Sequence, residues 1–284
     1  MDVWLITGAG NGLGRAMAEA AAEAGNVVVA TSRRVDGLTY AYPDRIEALP
    51  LDVTDPTAVA AVVADVEARY GRIDVLVNNA GRGQVGAAEE TTDADLRDLF
   101  EVHVFGPAAL VRAVLPGMRA RRSGTIVQMS SYGGVVGNAG FSAYCATKFA
   151  LEGYSESLAA EVAPLGIRVL IVEPGNFRTG LLGPRMHETK PTSAYAETVG
   201  ATRAFLTASH GAQSGDPARA AAAILRALAA DEPPLRLPLG GDAVDGILAH
   251  LAAATEEVRA WSEVSRDTSF TDAGPARSLP RPGR

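Results

Sequence analysis

The sequence has few of the side chains that build disulfides and metal sites. It contains one cysteine, Cys145, so an intrachain disulfide is excluded, which is typical of a protein from a reducing compartment. Its four histidines lie far apart, without the spacing of metal ligands, at positions 103, 187, 210 and 250. We therefore expect no bound metal.

Positive charge and long apolar runs are also scarce. The formal net charge of −7 argues against nucleic acid or an anionic membrane surface as a partner, because both bind basic patches. Alanine-rich stretches such as "AVAAVVADVEARY" are interrupted by charges, and we expect none of them to reach the length needed to span a bilayer. The strand-like run "VWLIT" starts at the third residue and leaves no room for a targeting segment, so we expect a cytoplasmic protein.

Short β-branched runs alternate with longer alanine-rich patterns along most of the chain. The predicted strands cover residues 3–7, 27–31, 46–53, 73–81, 124–131, 167–175 and 235–239. The predicted helices cover residues 12–25, 56–70, 93–121, 142–163, 217–230 and 242–262. Continuously apolar strands alternating with helices predict an α/β fold: a Rossmann-type, doubly wound parallel sheet with helices on both faces, in a single domain.

The alternation breaks for about forty residues after the strand that ends near 175. We interpret residues 176–215 as a loop that forms a wall of the substrate site within a domain covering residues 1–265. The segment 266–284 is rich in Ser, Pro, Gly and Arg, which predicts a disordered tail.

A glycine-rich turn, "TGAGNGLG" at 7–14, joins the first strand to the first helix, where a dinucleotide turn is expected. In its T-G-x-x-x-G-x-G frame, Gly8 can form the tight turn and Gly12 can let the backbone approach a pyrophosphate. Gly14 can let the helix pack closely on the strand, and Asn11 and Leu13 suit a helix N-terminus. The alternative is a glycine-rich loop without a ligand.

The end of the second strand usually determines which nicotinamide cofactor binds. An acidic residue there would accept a hydrogen bond from a ribose hydroxyl, but this chain has Ser32, Arg33 and Arg34. A hydroxyl and two guanidinium groups suit a 2′-phosphate, so we expect NADP(H) rather than NAD(H). A solvated basic loop is the alternative.

Five motifs in order give the chain a family likeness: the glycine turn, "NNAG" at 78–81, "SS" at 130–131, "YCATK" at 144–148 and "PG" at 174–175. Over residues 1–260 the sequence resembles the short-chain dehydrogenase/reductase family, in its common single-domain branch. The resemblance implies a small-molecule substrate and a homo-oligomer, a dimer or tetramer, with the helices at 93–121 and 142–163 in the interface.

The resemblance also implies the catalytic residues. Tyr144 matches the family's general acid or base, and Lys148 matches the lysine that bonds the nicotinamide ribose. An ammonium beside a phenol favours the phenolate, so we expect Lys148 to lower the pKa of Tyr144 towards working pH. Ser131 matches the serine that orients the substrate oxygen, while its neighbour Ser130 should point to the other side of the strand end.

Further cofactor contacts follow from the resemblance alone. They are expected near the adenine, along the adenosine and near the nicotinamide and phosphates, from Asp52, Val53, Asn79, Ala80, Gly81, Pro174, Gly175, Phe177 and Thr179. The "NNAG" turn could equally brace the sheet.

One residue departs from the family. His103 stands where the family usually has an asparagine that kinks a helix and holds a water of the proton relay. An imidazole can bond a water or a carbonyl, so His103 is a candidate catalytic residue, with neutral packing as the alternative.

Three functions are compatible with parts of this pattern. An NADP(H)-dependent oxidoreductase that interconverts a ketone and a secondary alcohol fits the retained Ser131, Tyr144 and Lys148. A non-catalytic NADP(H) sensor is the alternative, and an epimerase or dehydratase would need a longer chain and a different glycine turn. A lipophilic or aromatic substrate is indicated by a mostly apolar set near the nicotinamide, Gly133, Gly134, Val135, Val136, Phe141, Phe177, Leu181, Leu182 and Met186.

Overall fold

The computed structural model describes residues 1–181, 183 and 186–270. Of the predicted tail, residues 271–284 lie outside the described part of the chain.

The core of the molecule is a parallel sheet of seven strands. In chain order the strands are β1 (Val3–Thr7), β2 (Val27–Ser32), β3 (Ile46–Pro50), β4 (Val75–Asn78), β5 (Gln84–Val85), β6 (Gly124–Met129), β7 (Ile167–Pro174), β8 (His187–Glu188) and β9 (Arg236–Leu239). The main sheet has the order β3-β2-β1-β4-β6-β7-β9, and β5 pairs with β8 in a separate parallel ribbon. The strand order reverses between β1 and β4, and at such a point a parallel sheet opens a crevice at the carboxyl ends of its strands.

Nine α-helices accompany the described strands. They are α1 (Gly12–Glu23), α2 (Pro56–Tyr70), α3 (Asp93–Phe100), α4 (Gly106–Arg121), α5 (Ser142–Val162), α6 (Val199–Ser209), α7 (Pro217–Leu228), α8 (Gly241–Ala260) and α9 (Ser262–Arg266). One face of the sheet packs against α1 and α7, and the other packs against α2, α4 and α5. The predicted Rossmann-type sheet with helices on both faces is confirmed.

The third strand is shorter than predicted, since it ends at Pro50 instead of residue 53. After it, the Asp52 carboxylate accepts hydrogen bonds from the Thr54 amide and hydroxyl, at 3.0 and 2.8 Å. This turn competes with the sheet for the backbone. Asp55 then caps α2 by accepting from the amides of Thr57 and Ala58.

The helix predicted over residues 93–121 is interrupted. A π-helical turn, Glu101–Phe105, separates α3 from α4, and such turns recur at functional sites. Contrary to the sequence expectation, the stretch Asp93–Arg121 is long and apolar enough to cross a membrane by length and composition, and it is the one such stretch among the described residues. Its side chains Leu110, Val111 and Val114 are fully buried against the sheet. A helix buried in a protein core can have the same length and apolar composition as a membrane-spanning helix.

The long loop predicted over residues 176–215 contains structure that the sequence pattern did not predict. It holds strand β8 and helix α6. Thr202 of α6 donates a hydrogen bond to the carbonyl of Ala139, and Arg203 forms an ion pair with Glu90 at 3.0 Å. These contacts fasten the loop beside the carboxyl ends of the strands.

Candidate active site

A cleft of about 1670 Å³ opens at the carboxyl ends of the parallel strands, beside the point where the strand order reverses. It brings together residues that are far apart in the sequence. The predicted site residues that line it are Gly8, Asn11, Gly12, Leu13, Ser32, Arg33, Arg34, Asp52, Val53, Asn79, Ala80, Gly81, His103, Ser131, Tyr144, Lys148, Pro174, Gly175, Phe177 and Thr179.

The glycine turn forms one end of this cleft. Gly8 and Gly12 have φ angles of +65° and +56°, a left-handed conformation that glycine adopts without strain. Gly14 does not line the cleft: a Cβ atom there would lie 2.6 Å from the Gly8 carbonyl oxygen, so its role is close packing of α1 on the turn. Asn11 is the N-cap of α1 but its side chain makes no capping bond, which leaves first-turn amides of the helix available to an anion.

The "NNAG" turn braces this end of the sheet. The side-chain amide of Asn79 donates to the carbonyls of Thr7 and Gly8, at 2.9 and 3.2 Å. The backbone amides of Asn79 and Ala80 both donate to the Thr7 hydroxyl at 3.0 Å. The turn therefore ties β4 to β1 and to the glycine turn, so the expected bracing role is present.

Arg33 and Arg34 are exposed at the rim of the cleft, in the loop after β2. Nearby, the hydrogen bond from the Thr54 amide lowers the pKa of Asp52, and the charge of Arg33 acts in the same direction. Asp36 also lines this rim, which the sequence reading missed because it considered only the residues directly after the strand.

Tyr144 and Lys148 lie one turn apart near the start of α5, as their spacing predicts. Tyr144 is 9% exposed and Lys148 is 6% exposed. The Lys148 ammonium donates a hydrogen bond to the Met129 carbonyl at 2.8 Å, and its nitrogen lies 5.8 Å from the centre of the Tyr144 ring.

Burial changes the acidity of both groups. It raises the pKa of Tyr144 to about 12, with a partly opposing hydrogen bond from Ser131, and it lowers the pKa of Lys148 to about 8. The expected lowering of the Tyr144 pKa by Lys148 is not present in this structure, where burial dominates and Lys148 is not among the groups that shift this pKa. The reason is that removal from water disfavours the charged form of both side chains.

Ser131 and Ser130 point in different directions at the end of β6. Ser131 hydrogen-bonds the Tyr144 phenol and accepts from the Gly133 amide at 3.0 Å. Ser130 lies on the opposite side, beside the Glu152 carboxyl group. Both serines line the cleft, but only Ser131 bonds the Tyr144 phenol; its role in orienting the substrate stays a prediction.

His103 lies in the π-helical turn, 1% exposed, with its ring edge-on to Tyr144 at a centroid distance of 5.5 Å. Burial lowers its pKa well below the usual value, so the imidazole is neutral. Nδ1 lies 2.8 Å from the Thr147 hydroxyl, which itself donates to the Tyr144 carbonyl, and Nε2 accepts from the Arg82 amide. Both ring nitrogens are therefore engaged, which favours the neutral packing alternative over a proton relay through this side chain.

Part of the remaining wall of the cleft is apolar. Of the predicted apolar set, Gly133, Phe141, Phe177 and Leu181 line it; Gly134, Val135, Val136 and Met186 do not, and Leu182 lies outside the described residues. Helix α6 adds Ala201, Thr202, Phe205 and Leu206. The sequence reading missed these four because it treated their segment as loop, although the run "VGATRAFLTAS" has no helix-breaking proline.

No group of three or more His, Cys, Asp or Glu side chains close enough to hold a metal ion occurs among residues 1–181, 183 and 186–270. The cleft brings the phenol of Tyr144, the hydroxyl of Ser131 and the ammonium of Lys148 together with the glycine turn.

Comparison with known proteins identifies the class of molecule that this fold and site define. The sequence model of the short chain dehydrogenases matches residues 2–190. The chain therefore belongs to the short-chain dehydrogenase/reductase family and is an oxidoreductase by class.

Three relatives show how far the likeness extends. Oxidoreductase BOA17 of Botryotinia fuckeliana is 39% identical over 93% of this chain and 97% of its own length. The crystal structure of a short-chain dehydrogenase from Streptomyces avermitilis is 59% identical, with a TM-score of 0.89 over 94% of this chain and 98% of its own. A metagenomic short-chain oxidoreductase in complex with NADP is 36% identical, with a TM-score of 0.58 over 62% of this chain and 83% of its own.

Proposed function

We propose that this protein is an NADP(H)-dependent oxidoreductase that interconverts a ketone and a secondary alcohol by hydride transfer. The observation that carries the proposal is the convergence of Ser131, Tyr144 and Lys148 in the same cleft as the glycine turn. A non-catalytic nucleotide sensor would have no need of a buried phenol and ammonium in this arrangement.

The residues at the glycine-turn end are suited to hold the cofactor. The amides at the start of α1 and the close approach allowed by Gly12 fit a pyrophosphate. Ser32, Arg33 and Arg34 fit the 2′-phosphate of NADP(H). Support comes from the relative crystallised with NADP. The bound cofactor supplies or accepts the hydride.

The residues at the other end handle the proton. Ser131 orients the substrate oxygen, and Tyr144 donates its phenolic proton to that oxygen in reduction or removes a proton from the alcohol in oxidation. A pKa of about 12 keeps the phenol protonated at neutral pH, which suits the reductive direction. The Lys148 ammonium, charged below about pH 8, stabilises the phenolate that remains.

The substrate is proposed to be lipophilic or aromatic. Phe141, Phe177 and Leu181 line the cleft together with Phe205 and Leu206 of α6. Phe205 is 57% exposed, so the rim presents an aromatic ring to an entering apolar molecule.

We also propose that the protein is cytoplasmic and that it assembles with copies of itself. A cytoplasmic protein fits the single free cysteine. Two exposed aromatic side chains support a homo-oligomer, a dimer or tetramer. Phe105 lies in the π-helical turn before α4 and Phe149 lies on α5, and both belong to the segments predicted to form the interface.

The test is a screen of diverse ketones and alcohols, following NADPH absorbance, with NADH in parallel. We expect reduction of at least one apolar ketone, with a preference for NADPH. Tight NADPH binding without turnover of any ketone or alcohol would instead support the sensor. Tighter binding of NADH would contradict the cofactor assignment.

A further inference from the structure

A group of buried charges lies behind Lys148, outside the lining of the cleft. Glu152 and Glu173 are 6% and 1% exposed. Arg236 joins them: its Nε lies 3.1 Å from Glu152 Oε2 and 3.5 Å from Glu173 Oε1. The same guanidinium bonds the exposed Glu156 through Nη2 at 2.9 Å.

The fold determines this meeting. Glu152 follows Lys148 by one helical turn on α5. Glu173 lies two residues after Ile171, which packs in the core on the α5 face, so the two side chains of β7 point to that face. Arg236 is the partner of Ile171 in the register of β9 with β7, and it thereby lies between the strand and the helix.

One arginine cannot satisfy both buried carboxylates fully. Oε1 of Glu152 and Oε1 of Glu173 are buried without a hydrogen-bond partner. Desolvation, reinforced by repulsion from Glu152, raises the pKa of Glu173 to about 7. Burial also raises the pKa of Glu152, but Ser130 and Arg236 oppose that effect. As the pH falls, Glu173 is therefore protonated before Glu152, and Glu152 remains the charged partner of Arg236.

The groups around Lys148 come from several elements. Tyr144, Cys145 and Glu152 lie on α5 itself, and His103 lies in the π-helical turn. Behind Glu152 lie Ser130 at the end of β6, Glu156 on α5, Glu173 on β7 and Arg236 on β9. Burial lowers the pKa of Lys148, and the negative charge of Glu152 acts against it.

We propose that Glu152 is a positioning residue for the reaction: its carboxylate, held ionised by Arg236, keeps the buried Lys148 ammonium charged beside Tyr144. The catalytic meaning of this coupling rests on the proposed function. The coupling itself does not, because it is a property of the protein without any substrate.

The protein offers a direct measurement, since Lys148 and Lys190 are its two lysines and Lys190 is exposed. Full-length protein labelled with carbon-13 at the lysine ε position gives two NMR signals, which a Lys190→Arg variant assigns. Titration should place the Lys148 midpoint well below the ordinary value of a lysine. In Glu152→Gln, the midpoint of Lys148 should fall further, by about one pH unit, because the ammonium loses its neighbouring anion.

Three variants separate this effect from a general disturbance. Glu156→Gln removes an exposed partner of the same arginine and should leave the Lys148 midpoint unchanged. Glu173→Gln removes a buried carboxylate of the same cluster and should not lower it. Glu152→Asp keeps the charge at a greater distance from Lys148, so its Lys148 midpoint should lie between those of wild type and Glu152→Gln. It also provides the test if the glutamine variant does not fold.

An unchanged Lys148 midpoint in Glu152→Gln, or an equal fall in Glu173→Gln, would overturn the proposal. If the ketone screen succeeds, the alkaline limb of the kcat/KM profile should move to lower pH in Glu152→Gln. If the screen fails, the NMR titration still tests the coupling, so failure of the proposed function and failure of this inference remain distinguishable.

Discussion

At one end of the cleft Arg33 and Arg34 lie exposed in the loop after β2, whereas at the other end Tyr144 and Lys148 are buried in α5. Exposed guanidinium groups in water keep their charge at any working pH and act by recognition. Buried groups lose hydration, so their pKa values move and their protonation can serve chemistry. In the proposed function, the exposed end of the cleft would select the cofactor and the buried end would carry out proton transfer.

The largest effect should come from the buried end. Tyr144→Phe removes the phenolic hydroxyl and keeps the ring against His103 and Phe141, so folding should be retained. Turnover should fall at least about hundredfold, the usual loss for a general acid, while NADPH affinity stays almost unchanged. Steady-state kinetics and a separate NADPH titration measure the two quantities. Near-wild-type turnover would mean that Tyr144 is not the proton-transfer group and that the buried end of the cleft does not carry the chemistry.

A substitution at the exposed end should change the affinity for the cofactor and not the rate of the chemical step. Arg33→Ala should weaken NADP(H) binding by about 1.5 to 3 kcal/mol, the range for a hydrogen bond to a charged group. NADH affinity in the same variant serves as the internal control and should hardly change. Isothermal titration with both cofactors tests this, and an equal loss for NADH would show that Arg33 does not read the 2′-phosphate.

The smallest expected effect concerns stability against pH. Because burial raises the pKa of Glu173 to about 7, the folded state holds that proton more tightly than the unfolded chain does. The resulting stabilisation is present below the unfolded pKa and is lost as the pH rises through about 7. Glutamine cannot ionise, so the free energy of unfolding of Glu173→Gln should not contain this loss. Relative to wild type, it should therefore be about 2 kcal/mol more favourable at about pH 8 than at about pH 5.

Urea unfolding at the two pH values measures this difference. The matched variant Glu156→Gln lies on the exposed side of Arg236 and should follow the wild-type pH dependence. If the free energy of unfolding changed equally with pH in wild type and Glu173→Gln, the Glu173 carboxyl group would have the same pKa in the folded and unfolded states.

The sequence predicted the sheet and the placement of the motifs well, because continuous apolar strands and glycine turns are local signals. It did not predict the end of β3, where the Asp52 side chain competes with the strand for hydrogen bonds. It also missed helix α6, which lies in a segment whose composition resembles a loop and which is held by tertiary contacts such as Arg203 with Glu90.

Within the candidate site, spacing predicted which residues meet but not how charged they are. The shift in the pKa of Tyr144 depends on burial, which the motif does not reveal. Similarly, Glu152, Glu173 and Arg236 are distant in sequence, and their meeting depends on the register of β7 with β9 and on the packing of α5. The engaged nitrogens of His103 likewise depend on the π-helical turn.

The most direct test of the central claim follows hydrogen from cofactor to product. NADPH carrying deuterium at the transferable position of the nicotinamide is mixed with the wild-type protein and the ketone found by the screen, and the product is analysed for deuterium at the carbinol carbon. The account predicts one deuterium at the carbinol carbon of each product molecule with wild type, and at least about hundredfold slower formation of the same labelled product with Tyr144→Phe at saturating NADPH. Full NADPH binding by the wild type with no deuterated alcohol from any ketone would contradict it.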